Sequence, residues 1–255
     1  MQVQDKVVVV TGGASGIGYA LATRFKAEGA AHVAVADMNP QVTGVADELG
    51  GIGEVVDVSD PVALEAFIDR VEADAGPIDL FCSNAGIGTG MGIDADDDLW
   101  AAIWGVNVMA HVYAARILIP RMKERGGGYL LNTASAAGLL TNLGDAAYSV
   151  TKAGAVGLAE WLSITHADDG IKVSCLCPMA VRTPMTDSDD PAVANVVAHG
   201  MIEPEVLADS VIAGLETEEL LILPHPEVAH FMATKASAHE KWLLGMRKLQ
   251  SKFFE

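Results

Sequence analysis

Short apolar runs alternate along the chain with longer amphipathic stretches. The runs have the length of strands, whereas the stretches between them carry apolar residues at helical spacing. The runs predict seven strands, at 6–11, 32–37, 52–57, 78–84, 128–135, 171–177 and 220–223. The amphipathic stretches predict helices at 16–28, 40–49, 61–75, 95–124, 148–167 and 203–216. This alternation predicts an α/β fold with a single doubly wound parallel sheet of seven strands and helices on both faces.

Polar residues and glycines stand where the predicted strands end. Six of them lie at or just beyond a strand end: Gly12, Asp37, Asp57, Asn84, Ser135 and Pro178. The carboxyl ends of parallel strands meet at one edge of the sheet, and ligands bind along that edge. The pattern therefore predicts that these residues converge on one site.

A glycine-rich turn follows the first strand. Its glycines at 12, 16 and 18 allow a tight turn, close approach of the backbone to a pyrophosphate, and close packing of the next helix. The free N–H groups at the start of that helix form an anion site. Asp37 ends the second strand nineteen residues after Gly18, where a carboxylate can bind ribose hydroxyls. An ordinary strand-to-helix turn is the alternative, and Asp37 favours a dinucleotide site instead.

Three further residues suit proton transfer to or from a hydroxyl group. Tyr148 and Lys152 are four positions apart, so on a helix they share one face. An ammonium group at this spacing is expected to lower the pKa of the phenol from near 10 toward working pH. Ser135 ends a buried strand and can hydrogen-bond the same substrate oxygen. A Tyr–Lys pair alone usually joins a core ring and a solvated amine, and the glycine turn favours the catalytic interpretation.

Composition narrows the classes of partner and compartment. The 255 residues include 16 basic and 34 acidic side chains, and the net charge of −18 argues against nucleic acid or an anionic membrane as a partner. Cys82, Cys175 and Cys177 lie in apolar runs and are expected to be buried, reduced thiols rather than metal ligands. The apolar stretches have strand length and no signal peptide is evident, so we expect a cytoplasmic protein without a transmembrane helix.

Together these motifs resemble the short-chain dehydrogenase/reductase family over nearly the whole chain. The matching motifs are Thr11-Gly-x-x-x-Gly-Ile-Gly18, Asp57-Val58, Asn84-Ala85-Gly86, Asn107, Ser135, Tyr148-x-x-x-Lys152 and the stretch from Pro178 to Thr183. The resemblance implies a Rossmann-type fold and an NAD-dependent alcohol dehydrogenase or ketone reductase. It implies catalytic roles for Asn107, Ser135, Tyr148 and Lys152, with Asn107 supporting a water beside Lys152. A buried asparagine that satisfies a backbone group is compatible with that role.

The resemblance also implies a cofactor site along the strand ends. Its expected residues are Gly12, Ser15, Gly16, Ile17, Gly18, Asp37, Met38, Asp57, Val58, Asn84, Ala85, Gly86, Tyr148, Lys152, Pro178, Val181 and Thr183. Asp57 is expected to bind the adenine amino group, with a turn or helix-capping role as the alternative. Thr183 is expected to reach the nicotinamide carboxamide. The carboxylate of Asp37 would repel a 2′-phosphate and Met38 offers no cation, so NAD is favoured over NADP.

The expected substrate pocket is apolar. Its expected wall includes Ala137, Leu143, Met179 and Met185. Such a wall favours a hydrophobic secondary alcohol or ketone of the steroid, terpenoid or aryl-alkyl type. The family usually has glycine at position 179, so the local backbone is expected to differ there. A substrate lid is expected at 186–202. The extension at 224–255 is expected to cap the pocket or pack on a neighbouring subunit, with a surface helix covering its own apolar face as the alternative.

Three functions remain open from the sequence. An NAD-dependent dehydrogenase of hydrophobic secondary alcohols is favoured, and a ketoreductase would use the same residues in reverse. A non-catalytic dinucleotide-binding protein is the third, although such a protein has no need of a poised phenol. The helices at 95–124 and 148–167 resemble the paired-helix dimer surface of the family. A homo-oligomer, either a tetramer or a dimer, is therefore expected.

Overall fold

The computed structural model describes residues 1–187, 197 and 200–254. Its main sheet contains seven parallel strands: β1 (Val7–Thr11), β2 (His32–Asp37), β3 (Ile52–Val55), β4 (Leu80–Ser83), β5 (Gly128–Thr133), β6 (Ile171–Leu176) and β9 (Leu221–Ile222). A second, two-stranded sheet pairs β7 (Ala180–Val181) with β8 (Met201–Ile202). The order of the main sheet is β3-β2-β1-β4-β5-β6-β9, which confirms the predicted doubly wound fold. Most of the predicted lid, residues 188–196, 198 and 199, lies outside the described residues.

Helices cover both faces of the main sheet. The α-helices of the described residues are α1 (Gly16–Ala27), α2 (Val42–Leu49), α3 (Pro61–Ala75), α4 (Asp97–Trp104), α5 (Ala110–Glu124), α6 (Ala136–Leu140), α7 (Ala146–Thr165), α8 (Pro204–Thr217), α9 (Glu227–Ser237) and α10 (His239–Phe254), and α6, α9 and α10 pack together in a separate cluster. A π-helical turn, Gly105–Met109, joins α4 to α5, so the predicted helix at 95–124 is continuous but irregular. The short α6 was not predicted, because five residues are too few to show helical periodicity. Helix α7 begins two residues before its predicted start, since the side chain of Asp145 caps it by accepting a hydrogen bond from Tyr148 N.

Strand β1 shows how the sheet separates two cores. Val7 and Val9 pack with side chains of α3 and α5 on one face, whereas Val8 and Val10 pack with α1 and α2 on the other. Val8, Val9 and Val10 are completely buried. A strand that is covered on both faces needs apolar residues at every position, which explains the run of four valines. All three cysteines are likewise buried and free, as expected.

The strand order reverses between β1 and β4, which opens a crevice at the carboxyl edge of the sheet. Hydrogen bonds from Asn84 join the two strand ends there. Its backbone N donates to Thr11 Oγ1 at 2.9 Å, and its Nδ2 donates to Thr11 O at 3.0 Å. The crevice therefore has a fixed shape beneath the glycine-rich turn.

One segment differs from the expectation that every apolar stretch has strand length. The continuous helix Asp97–Glu124 has 28 residues, and its most apolar window of 18 residues has a mean hydropathy of 1.4, so it is long and apolar enough to cross a membrane. Half of its most apolar window is buried inside the protein, where Ala114, Leu118 and Met122 pack in the core. Core helices pass the same test of length and composition, and we interpret this segment as one of them.

Candidate active site

The glycine-rich turn between β1 and α1 has the shape of a phosphate cradle. Gly12 (φ +68°) and Gly16 (φ +54°) adopt the left-handed backbone conformation that favours glycine. A Cβ at position 18 would lie 2.0 Å from Gly12 O, so only glycine fits there. Ser15 is the N-cap residue of α1 and Ile17 lies in its first turn. The turn thus leaves room for a ligand above the positive end of the helix dipole.

Asp37 lies beside this cradle at the end of β2. Its Oδ2 accepts a hydrogen bond from Ala14 N at 3.0 Å, and its Oδ1 accepts one from Asn39 N at 2.9 Å. The neighbouring Met38 is 64% exposed and carries no charge. This end of the crevice therefore presents a fixed carboxylate and would disfavour a second phosphate.

Asp57 has the local role that was the alternative for it. Its Oδ1 accepts hydrogen bonds from Ser59 N at 2.9 Å and from Ser59 Oγ at 2.6 Å. Asp60, rather than Asp57, caps α3. Asp57 remains exposed and Val58 is buried beside it, so the predicted adenine contact stays a prediction.

The loop after β4 passes close to Lys152. A Cβ at Gly86 would lie 3.1 Å from Lys152 Nζ and 3.3 Å from Asn107 Oδ1, so the glycine leaves room for both polar groups. Ala85 in the same loop lies against the glycine-rich turn, since a Cβ at Gly12 would be 2.9 Å from its Cα. The loop therefore links the phosphate cradle to the predicted catalytic residues.

Asn107 is completely buried in the π-helical turn. Its Oδ1 accepts a hydrogen bond from Ile87 N and its Nδ2 donates one to Ile87 O, both at 2.9 Å. The Nδ2 also donates to Thr151 Oγ1 at 3.1 Å. The side chain thus fixes the loop after β4 against α7, one residue from Lys152. It also satisfies the backbone N–H and C=O groups of Ile87, which is the alternative role predicted for it.

Lys152 lies between β5 and the ring of Tyr148. Its Nζ donates a hydrogen bond to Thr133 O at 3.0 Å and lies 5.6 Å from the centre of the Tyr148 ring. The residue is only 3% exposed, and this burial lowers the pKa of Lys152 from 10.5 to about 8. The amine is therefore easier to deprotonate than an exposed lysine.

The side chain of Tyr148 lies close to that of Ser135. Burial raises the pKa of Tyr148 above its usual value of 10, and the interaction with the Ser135 side chain only partly opposes this effect. The prediction that Lys152 lowers the pKa of this phenol is wrong for the protein without a ligand. Burial of the phenol is the larger effect, and the Lys152 ammonium lies over the face of the ring, 5.6 Å from its centre. Tyr148 is therefore a protonated phenol at neutral pH.

Ser135 joins α6 to the segment that follows β6. Its Oγ accepts a hydrogen bond from Ala137 N at 3.1 Å and donates one to Pro178 O at 3.3 Å. Pro178 O also accepts a hydrogen bond from Ala136 N at 2.8 Å. These contacts fix the serine hydroxyl beside the Tyr148 ring.

The sequence analysis did not identify His225, which fixes the segment after Pro178. His225 is 3% exposed, and its Nδ1 accepts a hydrogen bond from Met179 N at 3.2 Å. Its Nε2 donates to Ala180 O at 3.1 Å. Burial lowers the pKa of His225, which favours the neutral ring that can accept at one nitrogen and donate at the other. Met179 has no positive φ, so the position that is usually glycine has an ordinary backbone here.

The remaining predicted cofactor residues lie in the same region. Val181 is buried in β7. Thr183 approaches the glycine-rich turn, because a Cβ at Gly16 would be 3.1 Å from its Cγ2. The residues at both ends of the predicted cofactor site are thus close to the crevice, although their contacts with a cofactor stay predictions.

A cavity of about 690 Å³ opens beside Ser135 and Tyr148. Three of the four predicted substrate residues line it, namely Ala137, Met179 and Met185, whereas Leu143 does not. The C-terminal helices α9 and α10 supply the opposite wall: Phe231, Thr234, Lys241, Trp242, Gly245, Met246 and Leu249. Helix α9 is attached to the body by Val228, which is completely buried, and by a hydrogen bond from Lys235 Nζ to Leu139 O at 2.6 Å.

A family model described as short chain dehydrogenase matches residues 6–194. The chain belongs to the short-chain dehydrogenase family. It is 35% identical over 191 residues to meso-2,3-butanediol dehydrogenase of Serratia marcescens, covering 73% of this chain and 76% of that protein. It is 32% identical over 240 residues to 1-deoxy-11-beta-hydroxypentalenate dehydrogenase of Streptomyces avermitilis, covering 89% of this chain and 87% of the relative.

Solved structures place this short-chain dehydrogenase in the same family. The crystal structure of a short-chain dehydrogenase/reductase from Burkholderia phymatum in complex with NAD superposes with a TM-score of 0.87 at 26% identity. The match covers 94% of this chain and 96% of that one. The protein is therefore an oxidoreductase of the short-chain dehydrogenase fold.

Proposed function

We propose that this short-chain dehydrogenase transfers a hydride between NAD(H) and a hydrophobic secondary alcohol or ketone. One observation carries the proposal: Tyr148 and Ser135 lie together at the wall of a largely apolar cavity, with the Lys152 ammonium over the face of the Tyr148 ring. The names of the two relatives, a butanediol dehydrogenase and a hydroxypentalenate dehydrogenase, support an alcohol as the substrate.

The residues of the crevice fit NAD. Additional side chains at Gly12 and Gly18 would collide with the surrounding backbone, so the tight turn that leads into the N-terminus of α1, a typical phosphate site, requires glycine there. The Asp37 carboxylate suits ribose hydroxyls and opposes a 2′-phosphate. These features favour NAD over NADP, in agreement with the charge argument from the sequence.

Each catalytic residue has a separate role in the proposed reaction. The cofactor, when bound, would supply the hydride acceptor for the carbinol carbon and a positive charge in the crevice. Tyr148 takes the hydroxyl proton of the alcohol, and in the reverse direction it donates that proton to the ketone oxygen. Ser135 hydrogen-bonds the same substrate oxygen. Lys152 would bind the ribose hydroxyls next to the nicotinamide, and Asn107 fixes the loop that leaves room for its amine.

A ketoreductase is the second candidate, and one observation favours it. The pKa of Tyr148 is raised in the protein without a ligand, so the phenol holds the proton that a ketone requires. Oxidation needs a change of local charge before Tyr148 can act as a base. Both directions use the same residues.

The test is turnover of a panel of secondary alcohols with NAD⁺ and of the matching ketones with NADH, followed at the nicotinamide absorbance band. We expect activity with aryl-alkyl or polycyclic compounds and loss of at least about a thousandfold in Tyr148→Phe. The matched control is Tyr113→Phe, which removes a phenol oxygen from a residue of α5 outside the cavity. Equal turnover by Tyr148→Phe and wild type would refute the mechanism, while retained NADH binding shows that the variant is folded.

We also propose that the protein is a homo-oligomer, a tetramer or a dimer, in the cytoplasm. Large apolar side chains are exposed on α4 and α7: Trp104 (42%), Val150 (49%), Trp161 (56%) and Ile164 (80%). Such a row on neighbouring helices is typical of a surface that a second protein chain covers. The net charge of −18 supports a soluble protein that has neither nucleic acid nor an anionic membrane as a partner.

A further inference from the structure

Helix α10 turns one face toward the substrate cavity. The residues on this face are Lys241, Trp242, Gly245, Met246 and Leu249, which recur at helical spacing. All except Lys241 are apolar or lack a side chain. Lys241 is the one cationic side chain among the described residues that line the cavity.

The charge of Lys241 is not neutralised by the described part of the protein. No carboxylate of a described residue lies within 4.0 Å of its Nζ. Asp145 is the one carboxylate among the described lining residues, and its oxygens already accept hydrogen bonds from Thr89 N (2.7 Å), Gly90 N (2.8 Å) and Tyr148 N (2.9 Å). The ammonium group of Lys241 is therefore available to a ligand.

The whole C-terminal segment differs in charge from the rest of the chain. Residues 224–255 contain five of the 16 basic residues and three of the 34 acidic ones, a net charge of +2. The total of −18 leaves −20 on residues 1–223. In the body, Arg24, Arg70 and Arg121 pair with carboxylates. No basic side chain of the segment forms an ion pair with a described residue. Lys241 thus belongs to the one basic segment of an otherwise acidic chain, and this segment forms one wall of the cavity.

We propose that Lys241 forms a subsite for an anionic group of the substrate. The substrate is then a hydrophobic secondary alcohol or ketone that also carries a carboxylate. The apolar wall binds its carbon skeleton, and the lysine pairs with its charge. The identification of the substrate class rests on the proposed hydride-transfer function, whereas the anion subsite itself does not. An ion pair at the edge of an apolar cavity is screened less than one on an open surface and contributes to selectivity.

Two fluorescent probes test the subsite without catalysis. 8-Anilinonaphthalene-1-sulfonate carries an anion on an aromatic skeleton, and N-phenyl-1-naphthylamine is its neutral counterpart. The Kd of each is measured by fluorescence titration with wild type, Lys241→Gln, Lys241→Arg and Lys248→Gln. Lys248 is an exposed residue of α10 that does not line the cavity, so it is the matched control for general charge. Ala137→Trp narrows the cavity, so an increase in the Kd of both probes in this variant shows that they bind there.

The expected result is specific to one residue and one probe. Lys241→Gln should raise the Kd of the sulfonate about tenfold and leave the Kd of the neutral probe unchanged. Lys241→Arg should retain the affinity of the wild type, and Lys248→Gln should have little effect. An equal loss in Lys241→Gln and Lys248→Gln would show that only the general potential of α10 matters, and that result would overturn the subsite. An unchanged Kd in Lys241→Gln would overturn it as well.

A turnover measurement then tests the substrate class. The KM of wild type and Lys241→Gln is compared for 4-(1-hydroxyethyl)benzoate and its methyl ester with NAD⁺. We expect the variant to raise the ratio of the KM of the acid to the KM of the ester by about tenfold. Turnover of the ester with no preference for the acid would refute the substrate class alone. No turnover of any alcohol or ketone would instead refute the proposed function, and the probe titrations distinguish these outcomes.

Discussion

Lys152→Met is expected to stabilise the protein without its ligand at neutral pH while abolishing turnover. Lys152 is 3% exposed, and burial lowers its pKa from 10.5 to about 8. Each pKa unit corresponds to about 1.4 kcal/mol. Keeping the ammonium charged in the folded protein therefore costs about 3 kcal/mol at every pH below 8. Methionine has a similar volume and avoids this desolvation.

The hydrogen bond from Lys152 Nζ to Thr133 O offsets part of that cost. Hydrogen bonds of charged groups contribute roughly 1.5–3 kcal/mol, so the expected net gain of Lys152→Met at pH 7 is about 1 kcal/mol. The pH dependence has a definite sign. Between pH 8 and 10.5 the unfolded chain binds more protons at this site than the folded protein. The stability of wild type should therefore rise across this window relative to that of the variant.

The assay is urea unfolding at fixed protein concentration, followed by tryptophan fluorescence at pH 7, 9 and 10.5. The matched control is Lys172→Met, which removes an exposed lysine that pairs with Glu218 at 2.9 Å. The stability difference between wild type and Lys152→Met should change in favour of wild type as the pH rises, and the control should not show this change. A variant that is less stable at pH 7 by a margin independent of pH would refute the reasoning.

Three further changes are expected to have separate effects. Asp37→Ala combined with Met38→Arg should shift the ratio of kcat/KM for NADP and NAD by at least about tenfold toward NADP, because repulsion is removed and a cation is added. A wild type that already prefers NADP would contradict the charge argument. His225→Phe removes both hydrogen bonds to the backbone at 179–180 and should lower kcat/KM about tenfold, while His225→Asn, which retains an acceptor for Met179 N, should lose less. Values of kcat/KM equal to that of wild type in both variants would exclude a positioning role for His225. Ile164→Lys adds a charge to the most exposed apolar residue of α7 and should dissociate the oligomer in light scattering, whereas a monomeric wild type would refute the oligomer itself.

The sheet and the edge that carries the site could be predicted because their signals are local. The valines of β1 predict a strand that is buried on both faces, and the glycines at 12, 16 and 18 predict a tight turn that other residues do not fit. Strand ends in a parallel sheet converge by geometry alone. The position of Asp37, Asn84 and Ser135 at the crevice could therefore be predicted without any knowledge of tertiary packing.

The rest of the site depends on contacts between distant parts of the chain. His225 binds a backbone segment 46 residues earlier in the sequence, and Lys235 binds a carbonyl 96 residues away. The imidazole between two prolines at 224–226 was the one local signal for this contact. Leu143 was predicted from its position after Ser135, but it does not line the cavity, whereas Thr141 and Asn142 immediately before it do.

The pKa of Tyr148 shows a second limit of sequence reasoning. The spacing to Lys152 predicts that the two side chains are close, and they are. Spacing does not report how deeply the ring is buried or which part of it the amine approaches. Burial is the larger effect in the protein without a ligand, so the direction of the shift is opposite to the prediction.

Transfer of deuterium from substrate to cofactor tests the central claim most directly. An alcohol from the panel is deuterated at its carbinol carbon and incubated with NAD⁺ and enzyme, and the reduced cofactor is analysed by mass spectrometry. The account predicts that wild type transfers the deuterium to the nicotinamide ring, and that Tyr148→Phe binds NADH but transfers none. Absence of transfer by wild type to bound NAD⁺ from every alcohol tested, or equal transfer by Tyr148→Phe, would contradict it.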